Sequence, residues 1–166
     1  MAFTPDNPAF VRDEIRKEEL RRLLTRDLVE FCRYFFQARG DKFIVNHHHE
    51  KIRDNLELVK QRKIKNLLIN MPPRYGKSEM AVICFIAQSM AINPKSKFIH
   101  LSYSDELAME NSSKARELIR SDEFQELWPI TLKEDADSKK KWYTTDGGGL
   151  YATSSGGPIT GFGAGA

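Results

Sequence analysis

The stretch that decides the fold is Asn66-Leu-Leu-Ile-Asn70, followed by Met71-Pro-Pro-Arg-Tyr-Gly-Lys-Ser78 and by an apolar run that begins at Glu79. The first segment predicts a short buried strand, because a short apolar run bounded by turn-forming residues is typical of one. The last segment predicts a helix that extends to about Ala91 and ends before Asn93-Pro94. We therefore expect the order strand, loop, helix.

The loop has the composition that binding of a phosphate chain requires. Gly76 permits a close approach of the backbone, Lys77 can reach the β- and γ-phosphates, and Ser78 can ligate Mg²⁺. The helix that follows adds backbone N–H groups and the positive end of its dipole. Together with the flanking strand and helix, these residues predict a P-loop that binds ATP and Mg²⁺.

The first position of the loop departs from the usual pattern GxxxxGK[ST], because Met71 stands where glycine is expected. The two prolines that follow have no N–H to donate, so the phosphate contacts must come from the second half of the loop. Arg74 adds a second cation, suited to the charge on a transferred γ-phosphate. Arg74 and Lys77 are the candidate catalytic residues. The candidate nucleotide-binding residues of the loop are Arg74, Tyr75, Gly76, Lys77 and Ser78.

Further strands and helices follow the loop. Residues 97–102 predict a second strand, and residues 105–120 predict a helix. The inward-facing residues expected on this helix are Leu107, Ala108, Ala115, Leu118 and Ile119. The order β-α-β-α favours a parallel α/β sheet. Two short strands, near 142–145 and 150–153, are expected on either side of a glycine turn.

The chain before the loop is predicted to be helical. Apolar residues recur at helical spacing between residues 11 and 39, as one long helix or as two, with Thr25 as the cap if the stretch breaks there. Asn46 is expected to cap a further helix that runs to Arg62. We divide the chain into an N-terminal helical region, residues 1–62, and a core, residues 63–166, within a single domain.

Composition limits the classes of function. Lys and Arg number 26 against 23 Asp and Glu, a net charge of +3 that gives no strong footprint for nucleic acid. Cys32 and Cys84 lack metal-ligand spacing and are expected to be buried free thiols. No secretion signal is present, and no segment approaches the roughly 20 apolar residues of a membrane helix. We therefore expect a soluble intracellular protein.

Beyond the loop, several segments resemble the terminase large subunit family, the motors that package double-stranded phage DNA. The likeness covers nearly the whole chain, and the motifs are specific in combination rather than singly. The segments that carry it are Asn46-His-His-His-Glu-Lys-Ile52, Leu67 to Ser78, Leu101-Ser-Tyr-Ser-Asp-Glu-Leu-Ala108, Trp142-Tyr-Thr-Thr-Asp-Gly-Gly-Gly149 and Gly156-Gly-Pro-Ile-Thr-Gly161.

The resemblance implies an ASCE-type P-loop ATPase, with a partial parallel sheet flanked by helices. It implies a ring homo-oligomer that sits on the portal protein of the capsid and drives double-stranded DNA into the head. A small terminase subunit is the implied partner, and the implied location is the cytoplasm of the host of a phage or prophage. An RNase H-like nuclease is joined to the ATPase in the family. Arg74, Lys77 and Ser78 carry over as γ-phosphate, phosphate and magnesium contacts.

The family's Walker B aspartate and catalytic glutamate have no counterpart before Ala166, so the chain looks like a truncated terminase ATPase. Hydrolysis needs carboxylates that hold magnesium and orient water. The acidic residues on or beside the helix after the second strand, Asp105, Glu106, Asp122 and Glu123, are not credible substitutes. We expect the chain by itself to be hydrolytically incompetent.

Two alternatives stay open: another DNA-translocating or helicase-like P-loop ATPase, against which the segment 142–161 argues, and a non-catalytic truncated remnant. Side chains about 100° apart on a helix do not converge on one zinc ion, so His47 and the two histidines after it are not expected to form a metal site. The family resemblance instead implies that one of these rings, that of His47, packs near the adenine. The basic runs 60–65 and 139–141 are candidate contacts to DNA phosphates, with Trp142 and Tyr143 as candidates for stacking on bases. The aromatic residues of 31–36 are expected to pack on the sheet or on the helix after Asn46, or to contact another subunit.

Overall fold

The structure is a computed structural model that describes residues 8–133, 139–156 and 163. It has a mixed α/β fold in which helices flank a small sheet. The elements, in chain order, are α1 (Pro8–Arg26), α2 (Leu28–Ala38), α3 (His47–Lys60), a π-helical segment (Glu79–Cys84), α4 (Phe85–Ile92), β1 (Lys97–Ser102), α5 (Asp105–Arg120), α6 (Asp122–Leu127), β2 (Lys141–Tyr143) and β3 (Gly149–Ser154).

The sheet has three strands in the order β1-β3-β2. β1 and β3 are parallel, with Lys97 opposite Gly149 and Ser102 opposite Ser154. β2 is antiparallel to β3. The predicted strand 97–102 and the two strands around a glycine turn are confirmed, but the sheet is mixed rather than purely parallel, because a short glycine turn can only return the chain antiparallel.

The predicted strand 66–70 does not join this sheet. The segment is extended, and its side chains alternate as they would in a strand: Leu67 and Ile69 pack toward the core while Leu68 is 92% exposed. No described residue provides a strand partner for its main chain. Strand hydrogen bonds require a neighbour, so the apolar pattern yields an extended segment with one buried face and no ladder.

The N-terminal helices break at Asp27. Its carboxylate accepts hydrogen bonds from the Val29 and Glu30 N–H groups at 2.8 and 3.2 Å, so Asp27 caps α2. Thr25 was the expected cap, and that expectation is wrong: its hydroxyl donates to the Arg21 carbonyl one turn back, at 2.8 Å.

The expected start of α3 is confirmed, with Asn46 as the N-cap. Its end is earlier than Arg62, since the helix stops at Lys60 and Arg62 adopts a left-handed φ of 57°. A left-handed residue cannot continue a right-handed helix.

The core joins buried residues of all six α-helices and of the π-helical segment with Trp142 of β2 and Leu150 of β3. Cys32 and Cys84 are buried and free, as expected. The aromatic residues of α2 pack differently from the prediction: the rings of Phe31 and Phe35 lie against Trp128 and Phe124 at centroid distances of 6.1 and 5.9 Å. Helix α6 and Trp128, the residue that follows it, supply this surface, which the sequence pattern did not predict.

On α5 the inward face is as expected except at Leu107, which is 44% exposed. None of the described helices is long and apolar enough to cross a membrane. The glycine-rich segment 157–161, which contributes to the resemblance, lies outside the described residues.

Candidate phosphate-binding site

The Gly76 loop, residues 71–78, joins the extended segment to a continuous helical stretch formed by the π-helical segment and α4. Arg74 and Gly76 have left-handed backbone conformations, with φ of 68° and 75°. Left-handed residues within a turn are a feature of the backbone nests that bind anions with successive N–H groups. The helix after the loop begins with the hydrogen bond from the Met80 N–H to the Gly76 carbonyl, at 2.9 Å.

Glycine at position 76 is required twice over. Its φ of 75° lies where a side chain is strained, and a Cβ added there would stand 3.1 Å from His49 Nε2. Arg74 also has a left-handed backbone conformation, and for a residue other than glycine this conformation costs about 1–2 kcal/mol. Strain of this kind is concentrated at functional sites.

The charges of the loop are available to a ligand. Lys77 is half-buried and Arg74 is exposed, and within the described part of the chain neither forms an ion pair. Glu79, the nearest acidic residue in sequence, is bound by Arg39 at 3.1 Å. The positive charges of Arg74 and Lys77 are therefore not neutralised by that carboxylate.

The three consecutive histidines occupy different environments. The side chain of His47 is 81% exposed and lies 3.7 Å from the Glu50 carboxylate. His48 approaches the Tyr75 ring, with centroids 5.6 Å apart. His49 is buried, and its Nε2 lies 3.0 Å from His48 Nε2. The Nε2 atoms of His48 and His49 thus face each other. The adenine contact of His47 stays a prediction.

His49 is the site residue that sequence reasoning missed. The Asn46 N–H donates to its Nδ1 at 3.0 Å, so in the neutral ring the proton lies on Nε2, facing His48. Burial and the neighbouring His48 lower the pKa of His49, against a smaller raising effect of the Tyr75 backbone. A signal was present, since residues 46 and 49 have the N-cap to N3 spacing of a capping box.

The residues fit magnesium only in part. Ser78 offers a hydroxyl beside the loop, but no group of three or more metal-ligating side chains occurs among the described residues. Asp105 accepts a hydrogen bond from the Ser154 N–H at 2.7 Å, which together with Lys140 lowers its pKa. That carboxylate holds the end of β3. Bound magnesium would therefore rest on Ser78, phosphate oxygens and water.

The candidate DNA contacts are partly corrected. Trp142 is 1% exposed and its indole N–H donates to the Ser112 hydroxyl at 3.0 Å, so it cannot stack on bases. The Lys60 ammonium donates to Gln88 and lies 3.3 Å from the Glu57 carboxylate, inside the protein rather than toward a duplex. Burial lowers the Lys60 pKa.

A cavity of about 640 Å³ lies away from the loop, between the end of α3, α4 and the start of β1. Phe85, Ile92 and Phe98 give it an apolar lining. None of its lining residues belongs to the Gly76 loop. Its lining also includes Arg62, which precedes the unpaired segment 66–70, and Lys97, the first residue of β1.

Comparison of the chain with known protein families, with curated proteins and with solved structures finds no match. Its function is therefore inferred from the residues of the chain and their geometry.

Proposed function

We propose that the chain binds Mg-ATP at residues 74–78, in a P-loop NTPase-like core. The observation that carries the proposal is the pair of left-handed residues, Arg74 and Gly76, directly ahead of Lys77 and a helix start. Turns with left-handed residues direct successive backbone N–H groups into one concavity. The N-terminus of the following helix adds to the positive potential there. A polyphosphate matches this arrangement in charge and shape.

Each residue of the loop has a distinct task in the proposal. Gly76 lets the backbone approach the phosphates, and Lys77 neutralises charge on the β- and γ-phosphates. Arg74 pairs with the γ-phosphate through its planar guanidinium, which can bind two oxygens at once. Ser78 supplies a hydroxyl to magnesium, which when bound would neutralise charge on the phosphates.

For the whole protein we propose the ATP-binding portion of a DNA-packaging motor of the terminase large-subunit type. The support is the resemblance of segments 46–52, 67–78 and 101–108. Double-stranded DNA, the portal protein, a small terminase subunit and a ring of copies are the partners that this proposal entails. The run 139–141 remains its candidate DNA contact.

Ligand-induced thermal stabilisation tests the nucleotide proposal. Mg-ATP and Mg-tripolyphosphate are expected to raise the unfolding temperature of the wild type, because ligands that bind only the native state stabilise it. Lys77→Ala should abolish the shift, and the exposed Lys65→Ala should retain it. Equal shifts in both variants would contradict binding at the Gly76 loop.

A further inference from the structure

The His49 ring stands against the Gly76 loop, and the proposed binding of nucleotide assigns it no task. The ring is 6% exposed. Its Nδ1 is held by the Asn46 N–H at 3.0 Å, and the Phe43 ring packs on it with centroids 4.8 Å apart. Its orientation is thus fixed by groups outside the loop.

The edge of the ring that faces the loop fills the space beside Gly76. A Cβ at position 76 would lie 3.1 Å from Nε2 and 3.7 Å from Cδ2 of His49. The neighbouring His48 ring contacts both His49 Nε2, at 3.0 Å, and the Tyr75 ring. The first turn of α3 therefore supports two consecutive residues of the loop.

We propose that His49 is a positioning residue for the phosphate site: its ring, anchored by the Asn46 amide, holds the left-handed turn at Gly76 in the shape that binds a polyphosphate. The inference rests on the proposed nucleotide binding and adds a residue to it. His49 does not touch the ligand, since it is buried behind the loop.

The positioning requires a neutral ring. A protonated imidazole carries hydrogen on Nδ1 and cannot accept the Asn46 N–H. The groups that act on the ring are His48 beside it on α3 and, from the loop, the Tyr75 backbone; Phe43 carries no charge. With its pKa lowered chiefly by burial, the ring stays neutral at neutral pH and becomes charged only on acidification.

The test is titration calorimetry of Mg-tripolyphosphate into the full chain and matched variants. His49→Asn keeps an acceptor where Nδ1 stands but empties the space beside Gly76, and His49→Gln reaches that space without titrating. Ile44→Ala is the control, because Ile44 is exposed, lies just before α3 and has no part in the proposed site. We expect His49→Asn to weaken binding about tenfold, the loss in affinity that corresponds to about one charge-assisted hydrogen bond. His49→Gln should recover part of that loss, and Ile44→Ala should match the wild type.

The pH dependence of the affinity separates positioning by a neutral ring from a merely structural role, because a merely structural role would not change this dependence. Between about pH 7.5 and about pH 5.5, a window that brackets the ordinary histidine pKa, the wild type and Ile44→Ala should lose affinity more steeply than His49→Gln. Protonation of the ligand is common to all of them and cancels in the comparison.

The outcomes separate the two proposals. If His49→Asn binds tripolyphosphate as tightly as the wild type, and His49→Gln shows the wild-type pH profile, the role of His49 is overturned and the nucleotide site stays intact. Absence of binding by the folded wild type would overturn the nucleotide proposal itself, and the positioning role with it.

Discussion

The carboxylate of Asp27 joins three helices at one point. One oxygen accepts from the first N–H groups of α2, and the other lies 3.0 Å from the Arg53 guanidinium of α3. Asp27 also follows the last residue of α1. The same side chain therefore influences both the angle between α1 and α2 and the position of α3. The helix that supports the Gly76 loop is thereby tied to the N-terminal pair.

Asp27→Ala should lower the free energy of unfolding by about 1–2 kcal/mol, the usual cost of removing an N-cap, and it also removes the ion pair with Arg53. Urea denaturation measures the change. Thr25→Ala is the control, and its change should stay within about 0.5 kcal/mol because the residue caps nothing. A larger destabilisation in Thr25→Ala than in Asp27→Ala would reverse the assignment of the cap.

Gly76→Ala and Gly40→Ala form a matched pair, with φ of 75° and 82°. At Gly40 nothing lies within 4 Å of an added Cβ, so only backbone strain of about 1–2 kcal/mol is expected. Gly76→Ala adds the close approach to His49 and should cost more. Denaturation curves for both variants give the difference, and equal costs would show that His49 does not abut the loop in solution.

The Cys32 thiol should resist alkylation in the native protein. Burial, followed by its contact with the Cys84 side chain, raises its pKa well above the ordinary value, and thiolate is the reactive form. Mass spectrometry after brief treatment with iodoacetamide should find Cys32 unmodified in buffer and modified in urea. Rapid native labelling would contradict the core placement of α2.

The free energy of unfolding should decrease as the pH falls below about 6.5, the ordinary histidine value. Burial lowers the pKa of both His49 and His100 in the folded protein, so the unfolded chain binds more protons in that window. The stabilisation is present above the unfolded pKa and is lost as the pH falls through the folded pKa values. Denaturation at several pH values measures it, with a shallower slope expected in His49→Gln than in the exposed control His47→Gln. Identical slopes would exclude His49 as a contributor.

Local patterns predicted much of the fold because they report local physics. Asp105–Arg120 has helical periodicity, and Lys97–Ser102 carries apolar residues at positions 98, 99 and 101; both elements formed as predicted. The break between α1 and α2 was misplaced by two residues because both Thr25 and Asp27 are capping residue types. Asp27 also has a tertiary contact with Arg53, which no local pattern indicates.

The features that the sequence could not predict depend on partners distant in the chain. The segment 66–70 has the composition of a strand, yet pairing requires a neighbouring strand, and no described strand forms ladder hydrogen bonds with it. The importance of His49 over His47 depends on which ring turns toward residue 76, about twenty-seven positions away along the chain. Gly76, Lys77 and Arg74 were predictable because the loop carries their spacing in itself.

Binding of the ATP phosphates by the Gly76 loop can be measured by calorimetric titration of Mg-ATP into the folded chain. We predict saturable heat that Lys77→Ala loses and Lys65→Ala keeps, with unchanged thermal unfolding in both variants without ligand. No heat from folded wild-type protein, or equal binding by Lys77→Ala, would show that the loop does not bind nucleotide.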